Sequence, residues 1–306
     1  MDHFHATCKI GVHEVKAASA GWSANSCGTV PLEPGRDLYG GILFQSGRFR
    51  RLRAYHRLRA KECVAEILPA EPRDWFWRYL PRDLVLPDPG ARDAAIHGIQ
   101  AGIPQATLLP VGVDRIFASN LPCSVPLFVH AQEKSRMQDT FVYDVDIADG
   151  AGTVFEQWRG LRLHRVRNAA ARAIAGPLLG PYLERRVEEL IPEWRAAIVV
   201  ESNRDADPAI QRAIGSPEQV LRSPDGKPHT ASDTRQVSAS HSRDLVVAVA
   251  GREPVSCDAE EVVPRSGDLW CDLLGTDRFA LAQSISAEMS PMSMSLPPTY
   301  GPPANV

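Results

Sequence analysis

The sequence lacks a run of apolar residues long enough to cross a bilayer, which takes about 18 residues. Its first residues are polar and hold no long apolar core, so we expect no secretory signal peptide. The six cysteines are scattered without a Cys-x-x-Cys pair, which argues against a zinc knuckle or a disulfide framework. With a formal net charge of −3, the protein has no overall positive potential that would attract nucleic acid. We therefore expect a cytoplasmic protein that binds neither membranes nor nucleic acids.

The composition indicates a globular protein with an apolar core. Hydrophobic residues make up 44% of the 306 residues and charged residues 23%, which is usual for globular domains. The length predicts about two domains, and the sequence contains no internal repeat that would indicate a solenoid.

Residues 37–167 have the patterns of an α+β domain. In residues 58–67, apolar and acidic side chains alternate with the period of two that is typical of a half-buried strand. The same alternation in residues 141–147 predicts another strand. Residues 92–103 have a helical composition and follow the turn signal at residues 88–90. One helix among antiparallel strands predicts a sheet wrapped around that helix.

The remaining residues divide into a linker, a second domain and a tail. Residues 169–181 contain two Gly-Pro neighbourhoods and predict a linker. A helix then presents one apolar face made of Leu183, Val187, Leu190, Ile191 and Trp194. Short apolar runs at residues 197–200 and 245–250 predict buried strands. Residues 283–306 hold five prolines and neither lysine nor arginine, which predicts disorder.

The first candidate site is formed by Asp93 and His97, which share one face of the predicted helix because they are four residues apart. Asp93 lies near the helix N-terminus, where the backbone N–H groups and the helix dipole favour an anion. A carboxylic acid in that place can donate a proton to a leaving hydroxyl. The alternative interpretation is an ordinary helix-start carboxylate with an incidental histidine.

Several short motifs in this region resemble polyketide synthase dehydratases. Residues 38–40 (Leu-Tyr-Gly) and 44–49 (Phe-Gln-Ser-Gly-Arg-Phe) look like the opening of the second of that family's two hot-dog halves, and residues 90–97 resemble its Asp-x-x-x-Gln/His motif. With residues 75–77 and 108–113, the stretch is most similar to enediyne-type iterative synthases. The resemblance implies a hot-dog fold, in which an antiparallel sheet surrounds a helix.

The resemblance also implies roles for the two residues. Asp93 would protonate the leaving 3-hydroxyl of an acyl thioester, and His97 would help to position the hydroxyl or the aspartate. The family's general base is a histidine of the first hot-dog half, in a His-x-x-x-Gly-x-x-x-x-Pro motif. His3, His5 and His13 lack the glycine and proline of that motif. We therefore expect no dehydration by this chain alone, unless a homodimer or another hot-dog half completes the site.

The second candidate site is formed by Asp258 and Glu260. If they lie on a strand, both carboxylates project from one face and can approach the same hard cation. Two acids at this spacing are more often a solvated strand face. Upstream, a Gly-Lys-Pro turn presents Lys227, and a polar segment contains Ser240 and His241.

In this order, the three motifs resemble 4′-phosphopantetheinyl transferases of the larger, surfactin-type class over roughly residues 196–282. The resemblance implies that Lys227, Ser240 and His241 contact the phosphates of coenzyme A, while Asp258 and Glu260 hold Mg²⁺. The family continues with a Trp-x-x-Lys-Glu helix, which is absent after Trp270. We therefore expect an impaired transferase.

A local basic run precedes these sites in the chain. Its usual meaning is a solvated strand face, and the alternative is a docking surface for an acidic carrier protein or for the phosphate of its prosthetic arm. The run consists of Arg48, Arg50, Arg51, Arg53, Arg57 and Arg59.

The sequence thus predicts an α+β polyketide synthase fragment of dehydratase and 4′-phosphopantetheinyl transferase ancestry, impaired in both activities. Its expected partners are an acyl carrier protein and an acyl thioester. The alternatives are a non-catalytic hot-dog module that binds acyl carriers or dimerises, and a free-standing transferase with a docking domain. The expected segments are 1–36 as a remnant of a preceding region, 37–167 as the dehydratase-like half, 168–195 as a linker helix, 196–282 as the transferase-like domain and 283–306 as the tail.

Overall fold

The computed structural model describes residues 5–9, 28–69, 75, 88–118, 125–168, 174–203, 205–232, 234–261 and 266–289. None of the helices in these ranges is both long and apolar enough to span a bilayer. The first unit contains α1 (Pro34–Asp37), β1 (Leu52–Leu58), β2 (Glu62–Ile67), α2 (Pro89–His97), β3 (Ala106–Gly112), β4 (Arg115–Ala118), β5 (Leu127–Met137), β6 (Thr140–Asp149) and β7 (Val154–Asn168).

These strands form one antiparallel sheet in the order β1-β2-β5-β6-β7-β3, and β4 also pairs with β7. In β6 the predicted alternation over residues 141–147 is confirmed, because Phe141, Tyr143, Val145 and Ile147 are buried and the residues between them are only half-buried. The sheet encloses α2, whose small residues Ala91, Ala94 and Ala95 belong to the same core cluster as those side chains. This arrangement confirms the predicted hot-dog fold.

The second unit contains α3 (Gly176–Leu190), β8 (Ala196–Glu201), α4 (Asp207–Ile214), β9 (Val220–Arg222), β10 (Pro228–Thr230), β11 (Gln236–Ser242), β12 (Leu245–Gly251), α5 (Gly267–Leu274) and α6 (Thr276–Met289). Strands β11, β12 and β8 form an antiparallel sheet in that order. Apolar side chains of α4 pack against one face of this sheet, and apolar side chains of α3 pack against the other face. Cover on both faces explains why β8 and β12 are nearly continuous apolar runs, as predicted.

Helix α3 joins the two units through a buried carboxylate. Glu184 accepts hydrogen bonds from the backbone N–H groups of Ala60 in the first unit and Ile198 in the second, both at 2.8 Å. Its Oε1 also accepts a 2.6 Å hydrogen bond from Arg59 Nε. The helix lies close to β8, because a Cβ on Gly180 would be 2.5 Å from the Ile198 carbonyl oxygen. Glycine is therefore required at this contact.

The neighbouring residue, Arg185, is also buried and bonds only to the first unit among the residues described. Its guanidinium donates to the Gly102 carbonyl, to the Ala60 carbonyl and to the Glu133 carboxylate. A charged side chain on a helix usually faces solvent, but the Arg185 side chain is only 2% exposed. The helical period of the sequence cannot reveal that the first unit covers this face of α3.

Three element bounds differ from the predictions. Residues 58–67 form a hairpin in which β1 ends at Leu58 and β2 begins at Glu62. The helix predicted over residues 92–103 begins at Pro89 and becomes a 3₁₀ helix at Gly98–Gly102, where two glycines weaken the α-helix. The linker predicted over residues 169–181 is already helical from Gly176, with Pro177 in the first turn, where proline is tolerated.

The unit borders differ as well. Residues 30–36, expected to precede the hot-dog unit, pack on it: the Val30 N–H donates to the Tyr55 carbonyl at 2.7 Å. Disorder was expected from residue 283, but α6 continues to Met289, because the prolines begin only at Pro291. Residues 290–306, and most of residues 1–27, lie outside the described residues.

Candidate functional site

The start of α2 is fixed by Asp88. Its Oδ1 accepts hydrogen bonds from the N–H groups of Gly90 at 3.0 Å and Ala91 at 3.2 Å, which is an N-cap. Its Oδ2 forms a 3.0 Å ion pair with Arg51, and both side chains are buried. Arg51 belongs to the local basic run, whose usual meaning is a solvated face, but this ion pair is buried. The partners are too far apart in the chain for local spacing to show it.

A second buried ion pair connects the first turn of α2 to strand β7. Arg92 pairs with Glu156 of β7, whose carboxylate is completely buried and also accepts a 3.0 Å hydrogen bond from Trp158 Nε1. The two ion pairs fix the helix turn that carries Asp93. Glu156 has no signal in the sequence, since an acid in a strand usually faces solvent.

Asp93 and His97 meet as their spacing predicts. His97 Nδ1 lies 3.0 Å from Asp93 Oδ2; the His97 side chain is 5% exposed and the Asp93 side chain 36%. The imidazole is therefore enclosed, while the carboxyl group reaches solvent. The catalytic roles expected for these residues stay predictions.

Tyr39 extends this pair into a chain of hydrogen bonds. Its hydroxyl lies 3.1 Å from His97 Nε2 and accepts a 3.1 Å hydrogen bond from the Leu52 N–H. Burial raises the pKa of Tyr39, so its hydroxyl keeps its proton and can either donate to Nε2 or accept from it. Contacts at both ring nitrogens therefore fix the orientation of the His97 imidazole. Tyr39 was part of a quoted motif, but the sequence assigned it no role.

The other histidines of the sheet have different partners. His56 lies 3.1 Å from a Glu66 oxygen, and His130 lies 2.9 Å from a Glu62 oxygen. Burial opposes ionisation of Glu62, but the hydrogen bond from His130 and the charge of Arg57 outweigh it and lower the Glu62 pKa to about 2. In the part of the chain that the structure describes, His97 is the histidine bonded to Asp93.

The basic run is largely neutralised by acids. Four of its arginines form ion pairs, namely Arg51 with Asp88, Arg53 with Glu66, Arg57 with Glu62 and Arg59 with Glu184. The guanidinium carbons of the other two lie over aromatic rings, Arg48 at 4.9 Å from the Trp75 centroid and Arg50 at 4.8 Å from the Tyr39 centroid. The run is therefore not a uniform docking surface. Phe76 and Trp77, neighbours of Trp75, lie outside the described residues.

The second candidate site is less well formed than predicted. Residues 254–261, expected to be a strand, have no regular secondary structure. Their exposure still alternates, so Asp258 and Glu260 both lie on the exposed side. Ser240 of β11 donates to Asp258 Oδ1 at 3.1 Å and accepts from the Ala259 N–H at 3.1 Å. Side-chain hydrogen bonds to β11 thus replace the expected backbone ladder.

The other expected residues lie on neighbouring elements. Lys227 follows the turn between β9 and β10, is largely exposed and pairs with Asp225 at 3.4 Å. His241 is exposed on β11, next to Ser240. Within the described ranges no group of three or more His, Cys, Asp or Glu side chains could hold a metal ion. Two carboxylates suit Mg²⁺ only when phosphate and water supply the remaining ligands.

Comparison with known proteins gives one family match. The family described as the polyketide synthase dehydratase N-terminal domain matches residues 25–173. A comparison with curated proteins found no match. The matching family is described as an N-terminal domain, whereas the sequence resemblance assigned residues 37–167 to the second hot-dog half. That finer assignment therefore remains a proposal.

Solved structures resemble the chain only weakly. One is the dehydratase domain of a mycocerosic acid synthase-like polyketide synthase, with 21% identity and a TM-score of 0.32 over 39% of this chain and 42% of that one. Another is the dehydratase domain from the CurJ module of the curacin polyketide synthase, with 17% identity and a TM-score of 0.32 over 40% and 44%.

A third similar structure is a mutant thioesterase from Pseudomonas aeruginosa, with 14% identity and a TM-score of 0.28 over 38% of this chain and 81% of that one. At these scores the structural likenesses carry no argument, and the chain spans less than half of either dehydratase domain. The assignment rests on the family match and on the topology of the sheet around α2. Residues 25–173 are a polyketide synthase dehydratase-like hot-dog domain.

Proposed function

We propose that this domain is the aspartate-bearing half of a dehydratase site for 3-hydroxyacyl thioesters carried by an acyl carrier protein. The observation that supports it most is the chain of hydrogen bonds from Tyr39 through His97 to Asp93. In the proposed site, the His97 Nδ1–H would donate to Asp93 Oδ2, and Oδ1 would carry the proton that the reaction needs. Partial exposure of the Asp93 side chain gives a substrate access to that oxygen.

In the proposed reaction, Asp93 protonates the 3-hydroxyl as its carbon–oxygen bond breaks. A base takes the proton from the neighbouring carbon, the double bond forms and water leaves. The carboxylate that remains on Asp93 is stabilised by the His97 N–H, a charge-assisted hydrogen bond. The base would come from a histidine of a paired hot-dog half, because His97 is the histidine that the described residues bring to Asp93.

The test is to assay this chain with and without a separately produced first hot-dog half of an enediyne-type synthase, following formation of the enoyl thioester. We expect turnover only in the mixture, and Asp93→Asn should reduce it at least about 100-fold, as for loss of a general acid. Asp114→Asn is the matched control, since Asp114 is exposed and pairs with Arg162.

Two outcomes would count against this proposal. Turnover in the mixture that survives Asp93→Asn would remove Asp93 from the reaction. Turnover by the isolated chain that Asp93→Asn abolishes would show that the chain supplies its own base. Carrier binding without turnover in any mixture would favour the alternative, a non-catalytic or dimerising hot-dog module.

A second candidate function is 4′-phosphopantetheinyl transfer by residues 196–282. What favours it is the Ser240–Asp258 hydrogen bond, since the two residues come from separate motifs. Asp258 and Glu260 would hold Mg²⁺ with help from coenzyme A phosphates, and Lys227, Ser240 and His241 would contact those phosphates. Bound Mg²⁺ would neutralise phosphate charge during transfer to a carrier serine.

The site as described offers few metal ligands, so we expect weak, Mg²⁺-dependent coenzyme A binding and little transfer. The chain would be incubated with Mg²⁺, coenzyme A and an apo carrier protein, and the carrier weighed by mass spectrometry. Efficient addition of the prosthetic arm would refute the expected impairment. Coenzyme A binding unaffected by Asp258→Asn would refute the site itself.

A further inference from the structure

The helix turn that carries Asp93 has an aromatic side chain packed beside it. A Cβ on Gly90 would be 3.0 Å from Trp75 Cη2 and 3.0 Å from the Arg48 carbonyl oxygen, so both groups lie directly against α2 at this position. Gly90 is three residues before Asp93, and residues at that spacing are neighbours on one helix face. The Trp75 indole therefore lies next to the face of α2 that carries Asp93.

Phe49 and Trp75 together form an aromatic pair. Their ring centroids are 5.4 Å apart, and the ring planes are tilted by 56°. The 3₁₀ turn Gly47–Phe49 packs against α2. Phe49 is 37% exposed, and the core cluster of the described residues contains neither ring. The aromatic pair thus presents apolar surface to solvent beside a polar group.

The two directions along this face of α2 differ in what a bound molecule would meet. Toward the C-terminus the next position is His97, whose side chain is 5% exposed and whose ring packs edge-on against Tyr39. Toward the N-terminus the face reaches Gly90, which has no side chain, and then the aromatic pair. A chain that extends from a carbon held at Asp93 finds enclosed groups in one direction and open apolar surface in the other.

A 3-hydroxyacyl thioester has two arms of different polarity. The pantetheine arm carries amide groups and a phosphate, whereas the acyl chain beyond the 3-carbon is largely hydrocarbon. Removing apolar surface from water is favourable by about 25 cal/mol per Å², but an amide placed on an apolar surface without a partner loses its hydrogen bonds to water. The aromatic pair therefore suits the acyl chain better than the pantetheine arm.

We propose that the aromatic pair receives the acyl chain of the thioester, with Phe49 as the contact surface and Trp75 as its support. The two residues set the preference of the site for the length and polarity of that chain. This inference rests on the proposed dehydratase function, because that function places a thioester at Asp93. It gives neither aromatic residue a part in proton transfer.

The experiment measures binding rather than turnover. The full chain is titrated with butyryl-, hexanoyl- and octanoyl-pantetheine, which have no 3-hydroxyl to lose, and the dissociation constants are obtained by ligand-observed NMR. Full burial of one methylene group strengthens binding about fourfold. Contact on one side provides about half of that free energy, so we expect the affinity of the wild-type chain to rise about twofold per added methylene.

Three variants test whether Phe49 causes this dependence on chain length. Phe49→Ala should remove most of it, and Phe49→Leu, which restores an apolar surface, should recover it. Leu109→Ala is the matched control, since Leu109 is 38% exposed on β3 of the same unit, and it should leave the dependence unchanged. Urea unfolding of each variant checks that a loss of binding is not a loss of folded protein.

Three results would overturn the inference. They are equal affinities of the wild type for all three chain lengths, a wild-type dependence that persists in Phe49→Ala, and an equal loss of affinity for pantetheine without an acyl group. Asp93→Asn separates this inference from the proposed function, because it should abolish turnover but keep the dependence on chain length. A chain that passes the binding test yet forms no enoyl thioester with a first hot-dog half would refute the proposed function and leave the role of the aromatic pair standing.

Discussion

Replacing Glu184 by glutamine tests whether α3 makes the two units one cooperative structure. The side chain is 7% exposed, and its two oxygens accept from Ala60, Ile198 and Arg59. Glutamine has the same shape, but its amide group can serve only one side as an acceptor. With the amide oxygen toward Ile198, the NH₂ group would face the Ala60 N–H, donor against donor.

The cost follows from these contacts. A buried N–H left without an acceptor costs about 1–3 kcal/mol, and the ion pair with Arg59, which is 26% exposed, adds about 1 kcal/mol. We therefore expect Glu184→Gln to lower the free energy of unfolding by about 2–4 kcal/mol. With a urea dependence of about 3 kcal/mol per molar, the unfolding midpoint should fall by about 1 M.

The assay is urea unfolding followed by tryptophan fluorescence and by far-ultraviolet circular dichroism. Glu189→Gln is the control, because Glu189 lies on the same helix and forms only surface pairs with Arg136 and Arg186. It should cost less than about 0.5 kcal/mol. Equal midpoints for the two variants, or two separate transitions in the wild type, would refute the view of α3 as a buried joint.

Two further predictions concern single side chains. Glu62 is ionised in the folded chain down to a pKa of about 2, so its stabilising effect is fully present above about pH 4.5 and is lost as pH falls toward 2. Glu62→Gln should therefore flatten the dependence of the unfolding free energy on pH in that window, and an unchanged slope in acid titrations would contradict the His130 contact. Ser240→Ala removes the hydrogen bonds to Asp258 and Ala259, each contributing about 1 kcal/mol. Limited proteolysis should then cut residues 252–261 faster than in wild type, and an unchanged cutting rate would show that these bonds do not hold the segment.

Local patterns predicted the parts of the structure that depend on near neighbours. The alternation in residues 141–147 and the four-residue spacing of Asp93 and His97 needed no information beyond a few positions of sequence. The apolar runs of β8 and β12 were equally informative, since burial on both faces leaves few polar residues.

The features that escaped prediction connect distant parts of the chain. Glu156 meets Arg92, and Tyr39 meets His97, 58 positions away. Nothing near Glu156 in the sequence distinguishes a buried, paired acid from a solvated one. The prediction of a strand at Asp258 was wrong for a related reason. The side chain of Ser240 in β11, rather than the β11 backbone, bonds to that segment.

The order of strands in the hot-dog sheet has a consequence for synthesis on the ribosome. The β1–β2 hairpin can form early, but the next strand in the sheet is β5, and the sheet is completed by β7 and β3 only after Asn168 has emerged. At about 5–20 residues per second, the roughly 100 residues between the end of β2 and that point take about 5–20 s. For the first part of that time, until α2 and β5 have emerged, the apolar side chains Cys63, Ala65 and Ile67 have no cover. The nascent hairpin is therefore the segment most exposed to wrong pairing, and chaperone protection there should matter more for yield than the final stability of the domain.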